Sequence, residues 1–347
     1  PMKSGPLCPV QLKAGKGMAL AAPPILPVID EAACSLGRLA ASTCAACANA
    51  CPRAALTSDD TGLNLDPNAC SACGACTAAC PQSAIRLGGR ELPEVQGRKR
   101  VVAGLVCPRR GPSGLCLQGL GLRALAALWL QGTRQIVSLT ADCTTCADGG
   151  GLDFAGRLAV LNQLLASRDL PAMIWHKVDE LPRNLPLIGP QGNDVDPRRR
   201  AFLGGLVTSH PKDNSLVLLQ AMANHDAACF AFAPQIDLTR CTGCDACVRV
   251  CPEAALSLIK DESEELVYQS ASLQCSGCGM CADVCDSDAL TVRLCHPETP
   301  NVALTSLTCR GCGVDVHMPT AGPWATGELC PICARTGHHK RLHQVLE

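Results

Sequence analysis

The sequence predicts a multidomain α+β chain. Two cysteine-rich modules flank a small parallel α/β domain, and a four-cysteine ribbon stands at the C-terminal end. Three observations carry this. The pattern Cys-x2-Cys-x2-Cys-x3-Cys recurs along the chain, a strand–helix alternation lies between its copies, and two Cys-x2-Cys pairs sit near the end.

Composition narrows the classes. Lys and Arg number 30 against 31 Asp and Glu, which speaks against a basic nucleic-acid binder and an acidic disordered chain. Hydrophobic residues make up 47% but aromatics only 2%, so something other than rings fills much of the interior. The 27 cysteines supply it. A disulfide scaffold is usually short and secreted, and no secretion signal or membrane-length apolar run is read here. The apolar stretch Leu120–Leu130 is short and broken by Arg123. The expectation is a cytoplasmic protein whose clustered thiols bind metal.

Residues 1–30 read as a Pro/Gly-containing tail with Cys8 as a free thiol. The first module spans 31–96. It holds one clean copy of the pattern, Cys70, Cys73, Cys76 and Cys80, preceded by an imperfect one, Cys34-x9-Cys44-x2-Cys47-x3-Cys51. The second module, 235–296, holds two clean copies: Cys241, Cys244, Cys247, Cys251 and Cys275, Cys278, Cys281, Cys285. The residues after each fourth cysteine also repeat, as in Cys51-Pro-Arg-Ala-Ala-Leu and Cys251-Pro-Glu-Ala-Ala-Leu. Thiols three residues apart on a tight loop can aim three sulfurs at one face of a cluster, and loop glycines allow backbone N–H groups to approach sulfur.

These modules resemble bacterial two-cluster [4Fe–4S] ferredoxin domains. The second departs from that pattern only at Asp286, where proline is usual. The resemblance implies four [4Fe–4S] clusters, with each fourth cysteine ligating the other cluster of its module. Cys241, Cys244, Cys247 and Cys285 would hold one; Cys251, Cys275, Cys278 and Cys281 the next; Cys51, Cys70, Cys73 and Cys76 a third. The fourth falls to Cys44, Cys47, Cys80 and one more ligand. The regular position holds Ala41, and Cys34 stands seven residues upstream. Three readings stay open: Cys34 completes a [4Fe–4S] cluster, the site holds a [3Fe–4S] cluster, or it is empty.

Residues 97–190 change character. Arg100–Val106 reads as a buried strand, Gly121–Gln131 as an apolar helix, Gln135–Thr140 as a second strand, Phe154–Ser167 as a second helix and Pro171–His176 as a third strand. Cys107, Cys116, Cys143 and Cys146 follow strand ends, where parallel α/β folds gather active groups. They could hold a [2Fe–2S] or another cluster, act as a redox pair at Cys143 and Cys146, or be structural. The arrangement loosely resembles the iron–sulfur subunit that links hydrogenases to heterodisulfide reductases, and thioredoxin-like [2Fe–2S] domains. Residues 191–234 read as a linker and a helix, with basic Arg198–Arg200 and a lone thiol at Cys229.

Residues 297–347 form the ribbon and a basic tail. Cys309-x2-Cys312 and Cys330-x2-Cys333, 17 residues apart, match a four-thiolate zinc ribbon, with a single iron as the rival. His338 to His343 make one short basic cluster, too little to predict nucleic-acid binding. Four oxidised clusters at about −2 each would take the formal charge of −1 to around −9. Arg98–Arg100, Arg109–Arg110 and Arg198–Arg200 would offset part of this or dock an acidic partner.

The layout as a whole resembles polyferredoxin-type accessory proteins of molybdenum oxidoreductases, of the formate dehydrogenase or nitrate reductase type. The resemblance implies an electron-transfer component that relays electrons between redox enzymes, the candidate partners being formate dehydrogenase, nitrate reductase or hydrogenase. The alternatives are a maturation factor for a metalloenzyme and, more weakly, an iron–sulfur redox sensor. No acid, base or nucleophile constellation is read, and no Gly-rich dinucleotide fingerprint: Gly149–Gly151 lacks the spacing.

Overall fold

The computed structural model describes residues 26–59, 62–87, 94–95, 101–111, 115–143, 145–148, 153–189, 214–222 and 228–337. Cys8, the basic stretches 98–100 and 198–200, Gly149–Gly151 and the His338–His343 cluster lie outside them.

The first module is assembled from β1 (Pro27–Ile29), α1 (Ser35–Arg38), α2 (Ala46–Asn49), the hairpin β2 (Leu56–Asp59) and β3 (Gly62–Leu65), α3 (Ala75–Ala79) and β4 (Ile85–Leu87). β1 and β4 pair antiparallel, so the module's ends meet. Its core is small. Leu56 and Ile85 are buried among Cys47 and Cys76, and Cys51 and Cys80 pack against them. Thiols take the place that aromatic rings occupy in most cores.

The middle segment carries β5 (Glu94–Val95), β6 (Val102–Val106), α4 (Leu122–Leu130), β7 (Gln135–Leu139), α5 (Phe154–Ala166), β8 (Ile174–Lys177) and β9 (Ile188–Gly189). β6, β7 and β8 form a parallel sheet in that order, connected through α4 and α5. The sequence periodicity explains the helices: α4 buries Ala124 to Trp129, and α5 buries Leu158, Leu161, Leu164 and Leu165. Asp153 caps α5 by accepting from the Gly156 N–H.

The second module follows a helix, α6 (Ser215–Ala221), and comprises β10 (Cys229–Ile236), α7 (Ala246–Val250), the hairpin β11 (Leu256–Lys260) and β12 (Leu266–Ser270), α8 (Met280–Asp283) and β13 (Leu290–Pro297). β10 and β13 repeat the β1–β4 closure at greater length. Leu216 and Leu219 of α6 and Ala231 of β10 belong to the same buried cluster as α4 and α5. The middle segment and the second module thus share one apolar core, which the sequence did not signal.

The ribbon consists of β14 (Val302–Thr308), β15 (Asp315–Pro319) and α9 (Pro331–Thr336). It is not a separate appendage. β14 pairs with β12, giving a four-stranded sheet in the order β11-β12-β14-β15. No helix among the described residues is long and apolar enough to cross a membrane.

Candidate metal centres

A backbone device repeats after each fourth cysteine. The N–H four residues on donates to that cysteine's sulfur: Ala55 to Cys51 at 3.2 Å, Ala84 to Cys80 at 3.3 Å, Ala255 to Cys251 at 3.2 Å and Ala289 to Cys285 at 3.1 Å. The residue before each donor takes the left-handed conformation: Ala54, Ser83, Ala254 and Asp288, at φ between 46° and 52°. The turn after Cys285 closes the same way despite Asp286. Amide donors on sulfur stabilise thiolate and tune a bound cluster's potential.

The three clean loops share a second device. Residues two and four after the first cysteine are left-handed: Ala72 and Gly74, Gly243 and Asp245, Gly277 and Gly279. Such alternation turns successive N–H groups inward, a concavity suited to an anionic cluster. The imperfect loop lacks it; Ala45 stands at φ −122°. That loop is held from outside instead. Thr43 donates its N–H and its hydroxyl to the Asp283 carboxylate of α8, at 3.0 and 2.7 Å.

The thiols gather in sets. Burial, then Cys80 and Cys44, and more weakly Cys34, push Cys47 up to about 11. Burial, then Cys73, Cys47 and Cys70, push Cys76 up to about 12, and Cys51 adds to the repulsion on Cys73. In the second module, burial, then Cys241, Cys244 and Cys285, push Cys247 up to about 12. Burial, then Cys278, Cys275 and Cys251, raise Cys281. Each set repels its own negative charge, so holding four thiolates there calls for a cationic metal centre. Apolar-walled cavities lie at two sets: Cys51, Cys70, Cys73 and Cys76 line one, and Cys251, Cys275, Cys278 and Cys281 line the other. These donor sets fit iron–sulfur clusters, and Cys34 stands with the set that lacks a regular fourth ligand.

The middle thiols also converge. Burial raises Cys116 to about 12, with Cys73, Cys107 and Cys143 adding repulsion. Burial, then Cys107 and Cys146, raise Cys143. Cys116 therefore senses both its own set and Cys73 of the first module. Two glycines permit this approach: a Cβ on Gly119 would lie 3.1 Å from the Cys73 carbonyl oxygen, and one on Gly121 2.7 Å from that of Ala78. Asp148, two residues past Cys146, accepts from Arg109 at 3.1 Å and Arg53 at 3.4 Å, tying the loop to the first module. Arg123, the residue that interrupts the apolar run of α4, clasps the segment after Cys80. It donates to the Ser83 hydroxyl at 2.7 Å and to the carbonyls of Cys80 and Pro81.

The ribbon sulfurs of Cys309, Cys312, Cys330 and Cys333 lie within 4.8 Å of one another. Cys312 and Cys330 are 3.9 Å apart, close to the ~3.8 Å that tetrahedral bonds of about 2.3 Å impose. Cys309 accepts from the N–H groups of Cys330 at 3.1 Å and Gly311 at 3.4 Å. Those amide donors, Cys330 first, hold its thiol down at about 6. The donor set fits one tetrahedral metal ion.

Sequence reasoning missed Arg123, Asp148, Asp283 and the partner of Cys229. Cys229 is not alone: its sulfur is 3.8 Å from that of Cys295. A three-residue contact joins the second module to the ribbon. Asp245 accepts from the Tyr268 hydroxyl at 2.6 Å and meets His317 Nε2 at 2.8 Å.

Comparison with known proteins agrees with this geometry. The 4Fe-4S dicluster domain family matches residues 240–289, and the 4Fe-4S binding domain family matches residues 63–86. No curated protein matches the chain. The chain is polyferredoxin-like: it carries two ferredoxin-type 4Fe-4S domains, with a four-cysteine site near the C-terminal end.

Proposed function

We propose that the protein relays electrons between two redox enzymes through four [4Fe–4S] clusters, with a fifth cluster on Cys107, Cys116, Cys143 and Cys146. Cys34 completes the set of Cys44, Cys47 and Cys80, and the ribbon site takes zinc. Each cluster supplies a one-electron couple when bound. The chain holds the clusters in succession and tunes them with amide donors and nearby cations.

One observation carries this reading: each of the five sets has a neighbour among the others, so that they succeed one another from the middle segment to the second module. Cys116 senses Cys73, so the middle set adjoins the set of Cys51, Cys70, Cys73 and Cys76. Cys76 senses Cys47, which leads to the set of Cys34. Gln82, two residues past Cys80, donates to Ser276, next to Cys275, at 2.8 Å. Cys281 senses Cys247, which ends the succession at Cys241, Cys244, Cys247 and Cys285. Cys244 is exposed, as an exit to a partner requires. The protein works in a reducing compartment, the cytoplasm, where its thiolates stay available.

The test is an anaerobic determination of iron, zinc and acid-labile sulfide, followed by electron exchange with candidate enzymes of the formate dehydrogenase, nitrate reductase and hydrogenase types. The relay predicts about sixteen iron in the ferredoxin modules, two to four more from the middle set, and one zinc per chain. It also predicts reduction and reoxidation at a catalytic rate. Tight binding of an apo-enzyme without turnover would replace the relay with a maturation role. Iron near eight would break the succession and overturn the relay.

A further inference from the structure

Cys229 and Cys295 lie outside every set described above. They meet across β10 and β13, where Cys229 pairs with Pro297 and Phe230 with His296. Cys295 interrupts the ladder. It takes the left-handed conformation at φ 53°, and the regular pairing of β13 resumes at Leu294 opposite Phe232. The local twist turns its thiol toward Cys229, leaving the sulfurs 3.8 Å apart. Both residues are half-buried under α5, with Val160 O and Gln163 O each 3.8 Å from one of the sulfurs.

A buried cation stands beside the pair. Arg168 is 1% exposed. Its guanidinium donates to the carbonyls of Gln220 at 2.9 Å, Leu164 at 3.1 Å and Cys229 at 2.7 Å, and to the Ser167 hydroxyl at 3.0 Å. All of these acceptors are neutral. Its Nη2 has no hydrogen-bond partner, and among the described residues no carboxylate pairs with it. A buried charge without a counter-charge is costly, and thiolate is the anion within reach. The Ser167 hydroxyl, which receives one of the Arg168 N–H groups, is 3.5 Å from the Cys229 sulfur. No third metal-ligating side chain joins the pair among the described residues, so two thiols and a cation make redox chemistry the fitting use.

We propose that Cys229 and Cys295 form a redox-active dithiol that reacts with low-molecular-weight disulfides, with Cys229 as the attacking thiolate, Arg168 as its positioning cation and Cys295 as the resolving thiol. In the first step the Cys229 sulfur attacks an external disulfide. The external S–S bond breaks, a mixed disulfide forms on Cys229, and one thiolate leaves. In the second step Cys295 gives its proton to solvent and attacks the Cys229 sulfur, releasing the second thiolate. The external disulfide gains two electrons and leaves as two thiolates, and the pair loses two electrons and the one proton that Cys295 gives up. The sulfurs, 3.8 Å apart, must close by about 1.8 Å to bond. Burial, and then Cys229 itself, push the Cys295 thiol up to about 12, so it keeps its proton until the mixed disulfide forms. Both thiols are half-buried under α5, which favours attack on a small disulfide over one held in a folded protein.

The experiment equilibrates the intact, cluster-loaded protein without oxygen in glutathione buffers of stepped oxidised-to-reduced ratio. Remaining thiols are alkylated, and peptides and iron are measured. The expected result is one cross-linked peptide joining residues 229 and 295, with iron per chain unchanged. Cys295→Ser should convert that link into a glutathione adduct accumulating on Cys229. Cys229→Ser should leave residue 295 unmodified. Arg168→Lys should keep the link but shift the pH dependence of its formation. The proposal is overturned if no 229–295 link forms at any ratio while iron is retained, or if the adduct appears on Cys295.

Discussion

The side-chain amide of Gln82 donates to the hydroxyl of Ser276 at 2.8 Å, and both residues are buried. The bond spans 194 positions of sequence and joins the two ferredoxin modules at their facing edges. Removing one partner leaves the other buried and unsatisfied, which costs about 1–3 kcal/mol. Gln82→Ala and Ser276→Ala should each destabilise the loaded protein by that order. The double variant should cost less than their sum in chemical unfolding. Spin–spin coupling between the clusters on either side should weaken in the same variants.

Cys34→Ser tests the irregular set. About one iron per chain should be lost, with a three-iron signal in the oxidised protein, because three thiolates still stand at Cys44, Cys47 and Cys80. Unchanged iron and an unchanged spectrum would remove Cys34 from the ligands.

Arg123→Met keeps the packing of α4 but removes the donors to Ser83, Cys80 and Pro81. Arg123 also favours the charged form of Cys80. Losing a cation beside a cluster disfavours its more negative, reduced state. The potential of the cluster on Cys80 should therefore fall, as redox titration followed by EPR can measure. Stability should drop by roughly 1–3 kcal/mol.

Gly121→Val sets a side chain against the backbone of Ala78, where even a Cβ would sit 2.7 Å from the carbonyl oxygen. The middle segment must shift away from α3. Overpacking of this kind costs about 1–3 kcal/mol. Electron exchange between the middle set and the first module should slow, while iron content holds. Freeze-quench kinetics would show it, and an unaltered rate would place the middle set off the path.

Cys312→Ser removes one ligand from the ribbon. One metal ion per chain should be lost, and limited proteolysis should cut between β15 and α9. Total iron separates the candidates: it stays constant if the ribbon metal is zinc and falls by about one if it is iron.

Spacing made the cysteine sets legible because ligand geometry is local. Three thiols on one loop need only the loop. The strands and helices of the middle segment were legible too, since α4 and α5 follow their apolar periodicity to within a residue or two of the observed ends. Contacts between segments were not. Nothing local to Arg123 shows that it reaches Ser83, and nothing local to Thr43 points to Asp283. Cys229 looked solitary because its partner lies 66 positions away, on a strand that pairs with its own. Asp245 takes the left-handed conformation where another loop uses glycine, and what holds it there, Tyr268 and His317, comes from β12 and β15.

The sheet that runs from β11 through β12 and β14 to β15 would give a metal at the four ribbon cysteines an influence beyond its own ligands. His317 of β15 sits on Asp245, inside the loop that bears Cys241, Cys244 and Cys247. A Cβ on Gly243 of that loop would overlap the His317 carbonyl oxygen. A metal ion held by the four ribbon cysteines would thereby brace the loop of Cys241, Cys244 and Cys247. Where the ribbon folds around its metal, metallation of the ribbon would come before that loop takes its final shape. A cell short of that metal would then make protein whose first module is fully formed and whose Cys241 loop lacks its support.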